Sequence, residues 1–376
     1  MRLTTSFYRR KTAQMQQQLA EQGLDGLLIL NPANVWYASG FFHYPTERPL
    51  GVFVPQSGEP TIFVPKLEED AVQRCWVKDF RVYFEYPGKT HPVVWMCQQI
   101  GARRLGIDNI SHGTFLIAQD AVEELVYTNI VSNMRLTKDP EEIELLDAAG
   151  KFADYAVESA RAATRPGVTE LEILQASRDA VLARMQRELS EIVNTPGGIS
   201  GGLIYSGPRS AFPHGMPSTN RVKAGDVIIL SMGASVGGYR CESERTFIVG
   251  EPTGRQRELF EIMAKAQRVG SQALRPGVRC CDVNAKCLDV IRKAGLEEYI
   301  KHRMGHGKGL EEHEPPWIEE GDETILEEGM VVSDEPGIYV PGFGGFRISD
   351  TLLVTADGAR SFTQYTRKLD EMIIPA

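Results

Sequence analysis

Residues 225–247 read Gly225-Asp-Val-Ile-Ile-Leu-Ser231-Met-Gly-Ala-Ser-Val-Gly-Gly238-Tyr-Arg240-Cys-Glu242-Ser-Glu244-Arg-Thr-Phe247, and this stretch decides the fold. Two apolar runs flank a glycine-rich segment, Gly233 to Gly238. The pattern predicts a β-hairpin with strands Val227–Met232 and Tyr239–Val249. Side chains alternate faces along a strand. Arg240, Glu242 and Glu244 therefore share one face, and Cys241, Ser243 and Arg245 the other. Two neighbouring carboxylates on one face stay ionised only beside a cation; otherwise one is pushed toward its neutral form. Arg240, a metal ion or a positively charged substrate would each serve. A solvated face with Arg240 and Arg245 as counter-charges is the plainer alternative.

Gly225-Asp226, Gly233-Ala234, Gly238-Tyr239 and Arg245-Thr246-Phe247 resemble the central hairpin of the pita-bread enzymes. These include the methionine aminopeptidases, prolidases, Xaa-Pro aminopeptidases and creatinase. In the metallopeptidases of that group, two Asp eleven residues apart on this hairpin bind a pair of divalent metals. The matching positions here are Ser231 and Glu242.

Length and composition fit the resemblance. A chain of 376 residues accommodates two domains with separate cores. The net charge of −9 argues against nucleic acid or an anionic membrane as partner. No apolar run reaches the roughly 18 residues of a membrane span. The basic N-terminal stretch lacks the apolar segment of a secretory signal. The six cysteines have no zinc-site spacing and are too sparse for a disulfide framework, so reduced thiols in a cytoplasmic protein are expected.

The first domain is expected over residues 1–131. A helix at 6–22 precedes strands at 25–30, 51–54, 60–64, 80–86 and 105–108, with helices at 66–76 and 92–101. Strands alternating with helices imply an α/β layer structure. The order resembles the N-terminal domain of the creatinase–prolidase branch, so the resemblance covers essentially the whole chain. Tyr37-Ala-Ser-Gly40 and the following run to Arg48 and Pro49 are similar to a creatinase segment. There the matching arginine comes from the partner subunit and holds the substrate carboxylate. The resemblance thus implies a homodimer with Arg48 acting in trans. A solvated surface arginine is the alternative.

The second domain is expected over residues 132–376. Asp139-Pro140-Glu-Glu is a helix start, with a cap residue, proline at the first position and acids in the first turn. Ile143, Leu146, Ala149, Ala153 and Val157 then recur at helical spacing. Further helices are expected at 170–190, 254–273 and 281–294. The fold class is therefore α/β in two domains, a creatinase-type N-terminal α/β domain and a pita-bread catalytic domain of curved antiparallel sheet backed by helices.

Four pieces of the second domain carry candidate chemistry. Ser206-Gly through His214-Gly215 matches a family pattern whose histidine is an active-site residue in the peptidases and the base in creatinase. Histidine suits proton transfer near neutral pH. On the hairpin, Glu244 stands where creatinase has the glutamate that grips the substrate guanidinium. Gly305-His306-Gly-Lys-Gly-Leu-Glu-Glu-His313-Glu-Pro-Pro316 resembles the Xaa-Pro peptidases, where the first histidine binds metal and the second touches substrate. Glu335-Pro-Gly-Ile-Tyr339 matches a peptidase metal ligand and also a substrate-binding glutamate of creatinase. Arg347 and Ser349 follow, and Ser349 falls at the last, bridging carboxylate of the peptidases.

Where five ligands are implied by the resemblance, this chain has Ser231, Glu242, His306, Glu335 and Ser349. Serine hydroxyls are weak, neutral ligands, so a dinuclear site is not expected. One ion, Mn or Zn, on Glu242, His306 and Glu335 is possible. The expectation drawn is a metal-independent, creatinase-like hydrolase of a C–N bond in a small substrate bearing a carboxylate. His214 is its base, with Glu244, Glu335 and His306 as further catalytic residues. Arg48, Glu242, Arg240, His313 and Arg347 form the substrate set, and no cofactor is expected. The first alternative is a metal-dependent Xaa-Pro dipeptidase or aminopeptidase with a reduced metal site. The second is a pita-bread protein that binds a ligand without turning it over.

Overall fold

Gly237 and Gly238 have φ of 59° and 90° and close the central hairpin with a two-residue turn. Such a turn needs positive φ at both central positions, which glycine adopts without strain. The computed structural model describes residues 1–108 and 110–376. The first hairpin strand runs Val227–Val236, longer than the sequence predicted, because the turn uses only its last two glycines. The second strand is Tyr239–Val249. Their register sets Ser231 opposite Glu244, Gly233 opposite Glu242 and Ser235 opposite Arg240.

The chain divides into two compact units. Residues 3–135, with 194–196, form a mixed six-stranded sheet. Its order is Asp79–Tyr83, Thr61–Pro65, Gly51–Pro55, Gly26–Ile29, Arg104–Ile107 and Glu124–Tyr127. Leu28, Phe63, Met96, Leu105 and Ile107 are fully buried in its core. Helices Thr5–Gln22 and Pro92–Ile100 agree with expectation. The segment 66–76 does not: only a 3₁₀ turn at Lys66–Glu68 and one α-turn at Glu69–Val72 form. A helix at Pro32–Ser39 was not read from the sequence. Asn31 caps it, accepting a hydrogen bond from the Asn34 amide at 3.1 Å. The helix is buried on nearly every face, so it shows no amphipathic period.

The second unit is built on a nine-stranded sheet, antiparallel except for the short strand Ile373–Ile374, which pairs in parallel with the end of Tyr239–Val249. The path runs Glu314–Ile318, Gly305–Gly307, Val331–Asp334, Ser349–Thr355, Tyr239–Val249, Val227–Val236 and Ser200–Ser206. Helices Pro140–Ala163, Glu170–Glu188, Gly254–Ala273 and Cys280–Lys293 back this curved sheet. The first packs on the hairpin and on the second helix, and Leu145, Leu146, Ala149, Ala153 and Ala156 are buried there. Its Glu142 accepts from the Asp139 amide at 2.8 Å and from the Tyr239 hydroxyl at 2.7 Å. One carboxylate thus caps the helix and fixes the hairpin's turn end.

Arg245, fully buried, ties the hairpin to the strand Ser349–Thr355. It donates to Asp350 Oδ1 and to the Ser349 carbonyl, each at 2.8 Å, and to the Tyr365 carbonyl at 2.7 Å. Stranding one member of a buried pair costs about 3–5 kcal/mol, so losing either Arg245 or Asp350 is expected to be strongly destabilising. All six cysteines are free thiols. No helix among the described residues is long and apolar enough to cross a membrane.

Candidate active site

Strand alternation turns Arg240, Glu242 and Glu244 toward a cavity of about 710 Å³ in the second unit. Ser243 and Arg245 face away, Ser243 onto Asp154 at 2.8 Å. Ser231, His214, His306, His313, Glu335 and Arg347 also line the cavity. The residues that the sequence names as catalytic or substrate-binding line this one cavity, apart from Arg48, which belongs to the other unit.

Each hairpin glutamate has a cation of its own, and neither is Arg240. Glu242 Oε2 accepts from Lys308 Nζ at 2.7 Å. Glu244 Oε2 lies 2.5 Å from Arg347 Nε, and its Oε1 lies 3.1 Å from Arg347 Nη2. Arg240 pairs instead with Glu312 at 2.6 Å and donates to the Gly198 carbonyl at 2.9 Å. The two serines at implied ligand positions also serve these glutamates. Ser231 Oγ donates to Glu244 Oε1. Ser349 Oγ donates to Glu242 Oε1 at 2.9 Å. At both places a hydroxyl donor stands where the peptidase resemblance implies a carboxylate.

Arg347 is buried in a cage of oxygen atoms. It donates to the Tyr205 hydroxyl at 2.5 Å, and to the Tyr339 hydroxyl and the Pro213 carbonyl at 3.3 Å. A proton order follows from the donors. Arg347 donates to Tyr339, leaving the Tyr339 O–H for His302 Nε2 at 2.7 Å. His302 Nδ1–H then faces the Arg303 carbonyl at 2.7 Å. His302 is accordingly neutral, and burial also holds it below the usual imidazole range. Burial pushes the Glu244 carboxyl up, against the pull of Arg347.

His306 sits on the strand Gly305–Gly307, between two others. A Cβ on Gly305 would lie 2.1 Å from the Ser333 carbonyl, and one on Gly307 2.2 Å from that of Pro315. Glycine on both sides of the histidine is what lets the strands close. His306 Nδ1 donates to the Gly307 carbonyl at 3.0 Å, which leaves Nε2 to face Glu335 Oε1 at 3.1 Å. Burial lowers the His306 pKa, but Glu335 and Glu242 outweigh it and the net direction is up. The His313 ring lies 3.9 Å from that of His306, centroid to centroid, and burial and that neighbour push His313 down to about 4.

One donor atom each from Glu242, His306 and Glu335 lie within 4.8 Å of one another. One imidazole and two carboxylates make a donor set for Zn or Mn. The backbone bond at Nδ1 is the usual device that orients a ligating histidine. These residues fit one divalent cation. They do not fit two while Lys308 holds a Glu242 oxygen, since Ser231 and Ser349 bring no charge to offset a second ion beside that ammonium.

His214 is exposed at the cavity wall, on a loop cinched at both ends by one buried carboxylate. Glu170 accepts from the Ser206 amide at 2.9 Å and from the Ser218 amide at 2.9 Å. Glu170 itself begins a helix, where negative charge is favoured. Lys308, Glu312, His302, Tyr205 and Tyr339 are site residues that the sequence reading missed. Lys308 stood in plain view, as the variable place of Gly-His-Gly-x-Gly.

Residues 144–356, more than half of the chain, match the model of metallopeptidase family M24. The chain belongs to that family. Residues 11–137 match the creatinase/prolidase N-terminal domain. The chain is 33% identical over 355 residues to the Xaa-Pro dipeptidase of Pyrococcus furiosus, covering 93% of this chain and 96% of that protein. It is 34% identical over 373 residues to the Xaa-Pro dipeptidase of Lactobacillus helveticus, covering 96% and 98%. The prolidase of Pyrococcus horikoshii OT3 superposes with a TM-score of 0.84 at 29% identity, over 96% of this chain and 99% of that one. Dipeptidase PepE of Mycobacterium ulcerans superposes with a TM-score of 0.88 at 30% identity, over the whole of both chains.

These findings establish the pita-bread branch, the two-domain fold and a hydrolase. They overturn the metal-independent, creatinase-like reading, because full-length relatives in a metallopeptidase family are Xaa-Pro dipeptidases. The structure supplies the physical reason. Glu244, whose match to creatinase carried that reading, is already paired with Arg347 and bonded by Ser231, so it is not open to a cationic substrate.

Proposed function

We propose that the protein is a metal-dependent Xaa-Pro dipeptidase that holds a single divalent ion, Mn or Zn, on Glu242, His306 Nε2 and Glu335. The convergence of those three donors within 4.8 Å carries the reading. Similarity to Xaa-Pro dipeptidases along nearly the whole chain supports the substrate class. A bound ion there supplies Lewis acidity toward the scissile carbonyl and an acidified water. His214, exposed at the wall, exchanges a proton with the peptide nitrogen. His313, held neutral beside His306, contacts the substrate main chain. Arg347 fixes Glu244 and the loop before His214, and Arg240 and Arg303 line the cavity wall, Arg240 already paired with Glu312. The free thiols agree with action in the cytoplasm.

The test is a screen of Xaa-Pro dipeptides against creatine-like compounds, with and without chelator. Turnover of the dipeptides that needs Mn or Zn supports the reading, and failure to cleave any of them with metal present overturns it. His214→Ala is expected to lower turnover by about 10²-fold, the scale of a lost general acid or base, with an unchanged fold. Turnover within a few-fold of the parent would exclude His214 as the proton carrier.

We further infer a homodimer in which Arg48 of one protomer serves the other's cavity, a reading that rests on the creatinase resemblance. Within its own unit Arg48 pairs with Glu47 and, at 2.8 Å, with Glu85. Arg48 must leave Glu85 to bind a substrate carboxylate with its planar fork. Arg48→Ala is then expected to raise the Michaelis constant more than ten-fold. Mixing Arg48→Ala with His214→Ala chains should recover activity through hybrid dimers. Subunit exchange without recovery would show that Arg48 does not act in trans.

A further inference from the structure

Lys308 is fully buried, and all its donor capacity is directed at the site. It lies 2.7 Å from Glu242 Oε2, 3.0 Å from the Glu312 carbonyl and 3.4 Å from Glu312 Oε2. An ammonium has three protons, and three oxygens receive them. A carboxylate shared between two ions most simply gives one oxygen to each. Here Oε2 faces Lys308 and Oε1 takes the Ser349 hydroxyl.

Local charge agrees with this geometry. Glu242, Glu244, Glu312 and Glu335 bring four negative charges, and Lys308, Arg240 and Arg347 bring three positive ones. Arg303 and Glu319, also on the cavity wall, cancel. One divalent cation on neutral His306 leaves a single positive charge, which attracts a substrate carboxylate. A second divalent cation would leave three in a partly buried site, where repulsion is strong.

We propose that the Lys308 ammonium is a resident cation that takes the place of a second metal ion, so that the chain is built for one ion by a lysine on Glu242. The proposal deepens the single-ion reading and rests on it. Lys308 is a positioning residue: it fixes the Glu242 carboxylate and sets how many ions the site accepts. An ammonium cannot exchange with solvent as a metal does, so this half of the site is loaded in every folded molecule.

The experiment titrates metal-stripped full-length protein with Mn by calorimetry and counts retained Mn by elemental analysis. The parent is expected to retain one Mn per chain. Lys308→Met keeps the length of the side chain and removes its charge, and is expected to retain two. The additional Mn should bind at least ten-fold more tightly than any second Mn on the parent. Lys308→Arg, which keeps the charge, should remain at one. Circular dichroism and melting temperature establish that each variant is folded. If Lys308→Met does not fold, Lys308→Gln, which still donates to Glu242, carries the same expectation.

An unchanged Mn count in a folded neutral variant, or tightening of less than ten-fold, overturns the proposal. A parent that binds no Mn overturns the single-ion reading instead. In that case a gain of Mn in Lys308→Met over the parent still supports exclusion by Lys308, and no gain overturns it. The two failures therefore look different.

Discussion

Treatment with a chelator, followed by desalting, is expected to reduce Xaa-Pro dipeptide hydrolysis by at least about 10²–10³-fold, the scale of removing one electrostatic stabiliser of a transition state. Mn or Zn in stoichiometric amount should restore it. The protein should remain folded throughout. Glu335 has His306 Nε2 at 3.1 Å, Glu242 has Lys308 at 2.7 Å and Glu244 has Arg347 at 2.5 Å, so each of these three acids keeps a counter-charge when the ion departs. A proton on His306 replaces the metal between Glu242 and Glu335. Zinc fingers, whose fold is their metal, behave in the opposite way. Activity assays beside melting curves check both halves. Full turnover in protein shown by elemental analysis to be metal-free would sink the metal-dependent reading. Unfolding on chelation would show that these internal pairs do not carry the apo site.

The hairpin shows what the sequence could and could not disclose. Period-two alternation placed Arg240, Glu242 and Glu244 on the cavity face, and they are there. The same argument required a cation near the two glutamates. It could not find Lys308 or Arg347, which lie more than sixty residues further along the chain, Lys308 just past the strand Gly305–Gly307 and Arg347 at the end of a strand in a separate two-stranded sheet. Alternation fixes a face, but it does not say which distant strand covers that face. The creatinase-like expectation failed at this point. The resemblance of Ser-Glu244-Arg-Thr to creatinase implies a carboxylate open to a substrate cation, whereas Arg347 supplies the cation from within. In the N-terminal unit the helix Pro32–Ser39 was missed although Asn31-Pro32 is a recognisable start. Its burial on nearly all faces erased the period on which the reading relied.

Restoring the lost acids should have the largest effect on stability. Ser231→Asp with Ser349→Glu supplies the two carboxylates that the peptidase resemblance implies. Ser231 and Ser349 are both buried, and each hydroxyl donates to a glutamate. The double variant exchanges two donors for two negative charges. Buried charge left unpaired costs about 3–5 kcal/mol, so the metal-free variant is expected to melt far below the parent. Divalent metal should reverse much of that loss. A ligand that binds only the folded state stabilises by about 4 kcal/mol at a thousand times its dissociation constant. The melting temperature of the variant should therefore rise steeply with Mn, and that of the parent only modestly. Lys308 still competes for Glu242 in this variant, so adding Lys308→Met should enlarge the metal-dependent rise. Calorimetric melting of the three proteins across a Mn series checks the order. Equal metal-dependent shifts in parent and double variant would mean that the new carboxylates do not reach the ion, and that charge at these two positions is not what separates this site from a two-ion one.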